Sequence, residues 1–384
     1  MRILRFLTAG ESHGPALTGI LEGLPAGLPL ALQDLAEQAA RRRRGHGRGG
    51  RMKIEDDAVD ILGGVRRGKT TGGPLALQIV NKDFKVWEEV MRVSASTAPA
   101  KRAVRIPRPG HADLVGRLKY RLADMRDALE RASARETAMR VALGTAARRL
   151  LGELEITVGS RVAAIGGVAD DSPPPALSGA ALSKRADASP VRCLGKAAEA
   201  GMVGAIDAAK AAGDTLGGVF EVIATGLPVG LGSYAQWDRR LEADLAASLM
   251  SLNAVKGVEV GMGFSGASQR GSEVHDALYW NKDKTKVVRK TNRSGGIDAG
   301  VSTGEPLIVR AAMKPIATLM NPLPSVDLEA KTDAAAHIER SDACAVPAGA
   351  VIAESLVCLV LADHVLVKYG GDSLAELKEH YGRP

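Results

Sequence analysis

At 384 residues the chain is long enough to bury a sizeable core and, at about 150 residues per domain, would divide into two or three. Its net charge of +7 is modest and much of it sits in one stretch, and aromatic residues make up only 3%, which argues against a general nucleic-acid coat and against stacking platforms for single strands. Cys193, Cys344 and Cys358 form no C-x-x-C pair, and an odd count without a framework points to reduced thiols and a cytoplasmic home.

Met1 to Thr8 is too short for a secretory signal. Its apolar part, from Ile3, predicts a strand that ends at the glycine-bounded turn Gly10-Glu11-Ser12-His13-Gly14. Leu17 to Leu21 resumes apolar, and Gly23 to Leu28 (GLPAGL) turns again. Leu32, Leu35, Ala36, Ala39 and Ala40 keep helical spacing, with Asp34 near the start and arginines at the end, as the helix dipole favours.

That helix runs into Arg41 to Met52, RRRRGHGRGGRM, which has no acidic residue. Its glycines let the backbone approach a bound group closely, and arginine offers a planar fork that suits phosphate and carboxylate. Two readings stay open here: a nucleic-acid patch, or a clamp for a small polyanion.

Ala58 to Leu62 and Leu75 to Val80 read as strands. Between them Gly63 to Thr70 matches the phosphate-loop pattern G-x-x-x-x-G-K-[ST], but Thr71-Gly72-Gly73-Pro74 and a β-type run come next instead of the helix that such a loop needs. The match is read as chance. Prolines 107 and 109 hold the basic segment before His111 extended. One helix is expected to carry Leu114, Leu118, Leu122, Met125 and Leu129 on a single face. A second begins at Ser133, where Ser133-Ala134-Arg135-Glu136 fits a capping box, and runs toward Gly152.

Asp170 to Pro190, with Pro173-Pro174-Pro175, reads as an exposed loop. Lys196 to Ala212 is an alanine-rich helix, Gly217 to Thr225 a strand, Leu241 to Leu252 an amphipathic helix, and Leu307 to Met313 a strand. Ala345 to Val367 is long and apolar, but Glu354, Asp363 and His364 lie within it. A central acidic residue costs about 2.5–3.5 kcal/mol in a bilayer, so a buried core helix is expected and no membrane association. Gly226 to Leu231 (GLPVGL) echoes GLPAGL, and Asp-Leu-Ala comes after each. The echo fits either shared turn chemistry or an internal duplication, with halves near 1–200 and 201–384.

For chemistry, His13 and His111 sit in glycine-bounded turns beside Ser12 and Arg108, and histidine exchanges protons near neutral pH. No G-x-S-x-G elbow supports a serine hydrolase, and no His/Asp/Glu spacing matches a metal site.

Several blocks together resemble the chorismate synthase family. Gly10-Glu11-Ser12-His13-Gly14, Glu130 to Thr137 (ERASARET) and Arg340-Ser341-Asp342-Ala343-Cys344 resemble its three signatures. Arg42 to Met52, Arg108 to Asp113 and Lys314 to Thr318 look like further family blocks, so the resemblance spans nearly the whole chain.

The resemblance implies one α+β domain over residues 1–384, a β-α-β sandwich of antiparallel sheets surrounded by helices, usually a homotetramer. It implies loss of phosphate and a hydrogen from 5-enolpyruvylshikimate-3-phosphate to give chorismate. Reduced FMN lends an electron transiently, NADPH serves at most as an indirect reductant, and a flavin reductant comes from outside. By residue, His13 matches the histidine that protonates the leaving phosphate and His111 the one near flavin N1. Ser12 and Asp342 match residues assisting proton removal from flavin N5. Arg42, Arg48, Arg51, Arg108, Ser133, Ala134, Arg135 and Arg340 match substrate positions. Arg131, Ala132, Ser133, Asn253, Ala254, Ala299, Lys314, Pro315, Ile316, Ala317, Thr318 and Arg340 match flavin positions, and Arg42 and Arg48 also match positions associated with NADP. Ala299 stands where relatives often have glycine, and Ala317 where many have serine.

Overall fold

In a computed structural model of the protein, residues 2–50, 54–95, 97, 100–173 and 177–382 are described. Arg51 and Met52, at the end of the arginine stretch, and Pro174 and Pro175 lie outside the described residues.

The first half opens with an antiparallel pair, β1 (Arg5–Ala9) and β2 (Ala16–Glu22), followed by α1 (Leu32–Arg43) and β3 (Asp60–Gly63). A short hairpin, β4 (Val65–Arg66) and β5 (Lys69–Thr70), leads to β6 (Leu75–Val80). The sheet order is β1-β2-β6-β3, and every pair is antiparallel. Then come α2 (Asp113–Tyr120), α3 (Arg126–Arg131), a 3-10 turn (Ala134–Glu136) and α4 (Thr137–Gly152).

The second half comprises β7 (Thr157–Ile165), β8 (Val168–Ala169), α5 (Gly179–Ala186), α6 (Lys196–Ala211), β9 (Gly218–Thr225), α7 (Leu241–Met250) and β10 (Val255–Val260). After α8 (Gly271–Val274) come two hairpins, β11 (Leu278–Trp280) with β12 (Val287–Arg289) and β13 (Ile297–Asp298) with β14 (Val301–Ser302). β15 (Leu307–Met313), a third hairpin of β16 (Pro324–Asp327) and β17 (Thr332–Ala335), α9 (Val346–Tyr369) and α10 (Leu374–Tyr381) complete it. The second sheet runs β10-β15-β9-β7-β8, again antiparallel throughout.

α4 packs on β2 and β6, α9 packs on β7 and β9, and the two helices pack on each other. Both are apolar around most of their circumference because both are covered on several sides. Every residue of α9 from Val346 to Leu366 is buried. The helices approach closely at Gly144, where an added Cβ would lie 2.5 Å from Ser355 Cβ. One hydrophobic cluster extends from Leu4 to Leu377, so both halves share a core.

The two GLP turns are built alike. Gly23 and Gly226 have φ of 95° and 81°, and a Cβ on either would sit 2.4 Å from a carbonyl, that of Ile3 or that of Glu155. Leu28 N donates to Thr70 Oγ1 (2.9 Å), which donates to Pro25 O (2.6 Å). Leu231 N donates to Ser302 Oγ (2.8 Å), which donates to Pro228 O (2.6 Å). The phosphate-loop-like run is therefore the β4–β5 hairpin under the first turn, with Lys69 exposed and a strand, not a helix, after it.

Three local expectations are corrected. The single helix over Leu114 to Leu129 is two helices. Arg121 takes a left-handed conformation (φ 54°) that ends α2, and Asp124 Oδ1 accepts from Val104 N and Arg126 N, both at 2.8 Å, starting α3 afresh. Met125 and Leu129 are buried, whereas Leu118 is 68% exposed. The capping box at Ser133 does not form. The tighter 3-10 turn brings Arg135 N to Ser133 Oγ (3.3 Å), while Glu136 turns to Thr8 Oγ1 (2.6 Å) and Arg140 Nε (2.9 Å). Asp170 to Pro190 is not simply an exposed loop, because it contains α5, which packs on β7. Ser178 caps that helix by accepting from Ala181 N (3.3 Å).

Glu354, at the centre of α9 and fully buried, is where the layers meet. Arg41 donates to both its oxygens (2.7 and 2.9 Å), as do Arg148 (2.5 Å), Arg192 (3.1 Å), Ser160 (2.6 Å) and Ser183 (2.8 Å) singly. Burial alone would raise its pKa, but the surrounding guanidiniums outweigh this and hold the carboxyl well below the usual range. Its contribution to stability is thus present above the unfolded carboxyl pKa, about 4.3, and is lost as pH falls toward the folded value. Glu354→Gln should cost about 3–5 kcal/mol in urea denaturation at pH 7, because three guanidiniums lose their shared counter-charge. The deficit should shrink below about pH 4, as the carboxyl of the unfolded wild type binds a proton that the folded state does not.

Candidate active site

A cavity of about 410 Å³ opens where several loops converge: the β1–β2 turn, the glycine-rich segment after α1, the extended run before α2, the α3–α4 junction, the α7–β10 turn, the end of β15 and the entry to α9. It is lined by Ser12, His13, Arg42, Arg48, Arg108, His111, Ala132, Ser133, Ala134, Arg135, Asn253, Ala254, Lys314 to Thr318, Arg340 and Asp342. Most of the residues singled out in the sequence thus meet in one place. Arg131 and Ala299 do not line it. Arg131 donates to Thr8 O (2.9 Å), and Ala299 (φ 49°) sits exposed in the β13–β14 turn.

Consecutive helix residues fan out by about 100°, so the three arginines closing α1, Arg41 to Arg43, point different ways. Arg41 goes to Glu354 and to Asp187 (2.7 Å). Arg42 turns the other way and is buried between Asp57 Oδ2 (3.1 Å), Thr137 Oγ1 (2.9 Å) and Ala134 O (2.9 Å). Burial, with Arg48 and Arg135 close by, pulls its pKa down to about 10 against the pull of Asp57, so it stays charged at neutral pH. Arg135 donates to Asp57, to Glu55 Oε2 (3.2 Å) and to Asn81 Oδ1 (3.0 Å). Burial raises the Asp57 pKa, but Arg42 and Arg135 lower it by more. Arg48 donates to Asp342 Oδ2 (2.6 Å), whose other oxygen accepts from Gly49 N (2.6 Å).

The two histidines have matching surroundings. His13 Nδ1 lies 2.9 Å from both oxygens of Glu130, and His13 N donates to Oε2 (2.8 Å). Arg126 donates to Glu130 Oε1 (3.0 Å), and the His13 ring stacks on Trp87 with centroids 3.9 Å apart. His111 Nδ1 lies 2.6 Å from Asp113 Oδ1, and Arg108 grips the same carboxylate from Nε (2.8 Å) and Nη2 (3.0 Å) while donating to Thr318 Oγ1 (2.7 Å). For Glu130 and Asp113 alike, burial raises the pKa, while the partner histidine and arginine lower it by more and keep the carboxylate ionised. Each carboxylate can accept a hydrogen from Nδ1 and orient its ring, and at His111 the same nitrogen also lies 2.9 Å from Arg108 Nη2.

Leu129, Leu252, Met313, Ile316, Ala348 and Ile352 supply apolar wall. Asn253 Nδ2 donates to Ala132 O (2.9 Å), but its buried Oδ1 has no hydrogen-bond partner among the described residues. An acceptor left in that condition calls for a donor from a ligand.

Sequence reasoning gave no role to Glu130, Asp113, Asp57, Glu55, Asn81 or Trp87. Glu130 and Asp113 lie inside the family-like blocks, Glu130 beside Arg131 and Asp113 two positions after His111. Asp57 and Trp87 carry no local signal, because only the fold brings them against Arg42, Arg135 and His13, which line the cavity.

Comparison with known proteins agrees over the whole length. A family model described as chorismate synthase matches residues 4–366. The chain is 54% identical over 383 residues to the chorismate synthase of Symbiobacterium thermophilum, covering 98% of this chain and 97% of that one. It is 52% identical to that of Prosthecochloris aestuarii, covering 98% and 96%. A crystal structure of chorismate synthase aligns with a TM-score of 0.79 at 39% identity, over 99% of this chain and 97% of the other. With its cavity assembled from the same blocks that these relatives match end to end, the chain belongs to the chorismate synthase family.

Proposed function

We propose that this cavity carries out the family's lyase reaction in the shikimate pathway, loss of phosphate and a hydrogen from 5-enolpyruvylshikimate-3-phosphate to give chorismate. The observation that carries the reading is the convergence of two carboxylate-paired histidines with Arg42, Arg48, Arg108, Arg135 and Arg340 on one cavity. A substrate with one phosphate and two carboxylates matches that set, because guanidinium forks bind both groups through paired hydrogen bonds.

Reduced FMN fits the same cavity. The unpartnered Asn253 Oδ1 suits a ligand N–H, the apolar wall suits a ring system, and Lys314 and Arg340 suit a phosphate. Ala132, Ser133, Asn253, Ala254, Lys314, Pro315, Ile316, Ala317, Thr318 and Arg340 would hold it, with Arg131 and Ala299 as outlying members. When bound, reduced FMN supplies an electron transiently and takes it back. Arg42 and Arg48 would hold NADPH as an indirect reductant, with the reducing equivalents for the flavin supplied from outside the chain.

The chain's own groups then have distinct tasks. His13 delivers a proton to the leaving phosphate oxygen, and Glu130 on Nδ1 orients the ring and stabilises the imidazolium. His111, fixed by Asp113, holds a proton on the flavin side. Asp342, oriented by Arg48 and the Gly49 amide, takes up a proton with the help of Ser12. Arg42, Arg48, Arg51, Arg108 and Arg135 bind the substrate's anionic groups beside Ser133 and Ala134. The enzyme works in the cytoplasm as a homotetramer, without nucleic acid or membrane. Its layers read as a sheet–helix–sheet sandwich, and the shared strand order and turn bonds support descent of the two halves from one duplicated unit.

An anaerobic assay with reduced FMN and the substrate should yield chorismate, and no product would reject the reading. Arg48→Ala should weaken substrate binding by about 1.5–3 kcal/mol, since it removes a charge-assisted contact and the orienter of Asp342, and Arg48→Lys should restore part of it. Binding measured by calorimetry checks both. His13→Ala and His111→Ala should each fold, bind flavin, and lose turnover roughly 10²–10⁴-fold. Glu130→Gln should lower turnover while leaving flavin binding intact, because the His13 ring loses the carboxylate that orients it; wild-type turnover in this variant would remove Glu130 from the mechanism.

A further inference from the structure

Trp87 divides two cavities. One ring face stacks on His13, and above the ring lie Arg102, with its guanidinium carbon 4.4 Å from the centroid, and Arg126, at 5.2 Å. Beyond it lies a second, more open cavity lined by Trp87, Arg102, Arg126, His337 and Arg340, with Asp83 and Glu339 the acidic residues. Arg340 and Glu339 line both cavities.

The second cavity has an excess of donors. Three guanidiniums face two carboxylates. Asp83 is taken by Arg340 (2.6 Å), and Glu339 by Arg126 (3.1 Å) and His337 (3.0 Å). Arg102 has no ion pair among the described residues, and its only charge contact is with the Trp87 ring. Trp87 itself is only 4% exposed, yet its indole Nε1–H has no acceptor among the described residues. A buried donor left unpaired costs about 1–3 kcal/mol, and beside it stands Arg102, an exposed cation with no carboxylate partner among the described residues, so the pair suits a ligand bearing acceptor oxygens and negative charge.

We propose that this second cavity is a binding site for inorganic phosphate, where the leaving group rests after it departs the first. The proposal uses the phosphate-releasing reaction assigned to the first cavity. Trp87 Nε1–H and Arg102 donate to the anion, and Arg340, shared by both cavities, hands it across. Moving phosphate off His13 in this way would free the acid for another turnover without opening the substrate side. The shared chemistry is a phosphate anion, and a nucleotide phosphate is the other source that could supply it.

The test uses a full-length Trp237→Phe/Trp280→Phe protein, in which Trp87 is the sole tryptophan. Inorganic phosphate should change its fluorescence saturably, and Arg102→Ala should weaken that response at least 10-fold. Trp87→Phe, which keeps an aromatic face toward His13 but removes the donor together with part of the ring, should weaken phosphate binding measured by calorimetry. In turnover, phosphate should inhibit the wild type with a noncompetitive component that Arg102→Ala loses, while kcat/KM for the substrate stays within about two-fold. Purely competitive inhibition, unchanged in Arg102→Ala, would overturn the site, and so would a response to FMN or NADPH but none to inorganic phosphate. The fluorescence titration needs no turnover, so a protein that binds phosphate as expected but makes no chorismate would sink the functional reading and spare the site.

Discussion

The buried carboxylate of Glu354 is the point on which the cavity's geometry depends. Taking one charge into a core costs several kcal/mol, and the fold recovers this only by closing every lone pair with a guanidinium or hydroxyl. Those donors come from α1, α4, β7, α5 and the segment before α6, so one side chain on α9 ties the layers together. The consequence for function runs through Arg41. With that residue drawn to Glu354, the last turn of α1 cannot rotate, and the next residue, Arg42, points about 100° away around the helix, to Asp57 and Thr137. The glycine-rich segment beyond it is held by bonds of its own, His46 N to Pro190 O (2.8 Å), Ala343 N to Gly47 O (2.8 Å) and Arg48 to Asp342 (2.6 Å).

The cavity applies the same rule at a smaller scale. A pocket for a trianion needs several cations close together, and unpaired they would repel one another and resist burial. Asp57 and Glu55 balance Arg42 and Arg135, Asp342 balances Arg48, and Asp113 balances Arg108. These carboxylates hold the guanidiniums in position before any ligand arrives, which lowers the ordering cost of binding. Two of the acids do more. Glu130 and Asp113 also take a histidine ring, so the acid–base groups and the charge clamps share their supports.

How much of this was legible in the sequence depends on the range of each interaction. Strands and helices with strong local periodicity were readable: α1, β6, β9, β15 and the core helix α9 lie within a residue or two of expectation. The expected single helix over Leu114 to Leu129 failed because its break rests on Asp124 bonding to Val104, a contact from outside the helix. α5 went unseen because Pro173 and its neighbours dominate the local signal, while the burial of α5 against β7 is a tertiary effect. At the site, the residues in continuous blocks were legible, whereas Asp57 and Trp87 were not, since their partners Arg135 and His13 stand 78 and 74 positions away. Glu354 was noticed only as an obstacle to membrane insertion. Its partners, Arg41, Arg148 and Arg192, are spread over three segments, and no window of sequence contains them.

The two similar turns explain why a cavity forms where it does. Each GLP turn carries the chain from a strand into a helix, α1 in one half and α7 in the other, and each is pinned by a hydroxyl from the hairpin beneath it. The segments beyond the two helices differ. α1 ends in charge, and its continuation brings Arg48 and Gly49 to the cavity; α7 is followed by Leu252, Asn253 and Ala254, which bring apolar surface and an amide oxygen unpartnered among the described residues. Equivalent scaffolds thus deliver unlike chemistry to a common space beside the packed α4–α9 pair. A polyanion would be drawn to the first side and a flat, mostly apolar ring to the second. Because both sides are anchored to one core, the distance between them is set by helix packing rather than by loop flexibility, which is what a reaction between two bound partners requires.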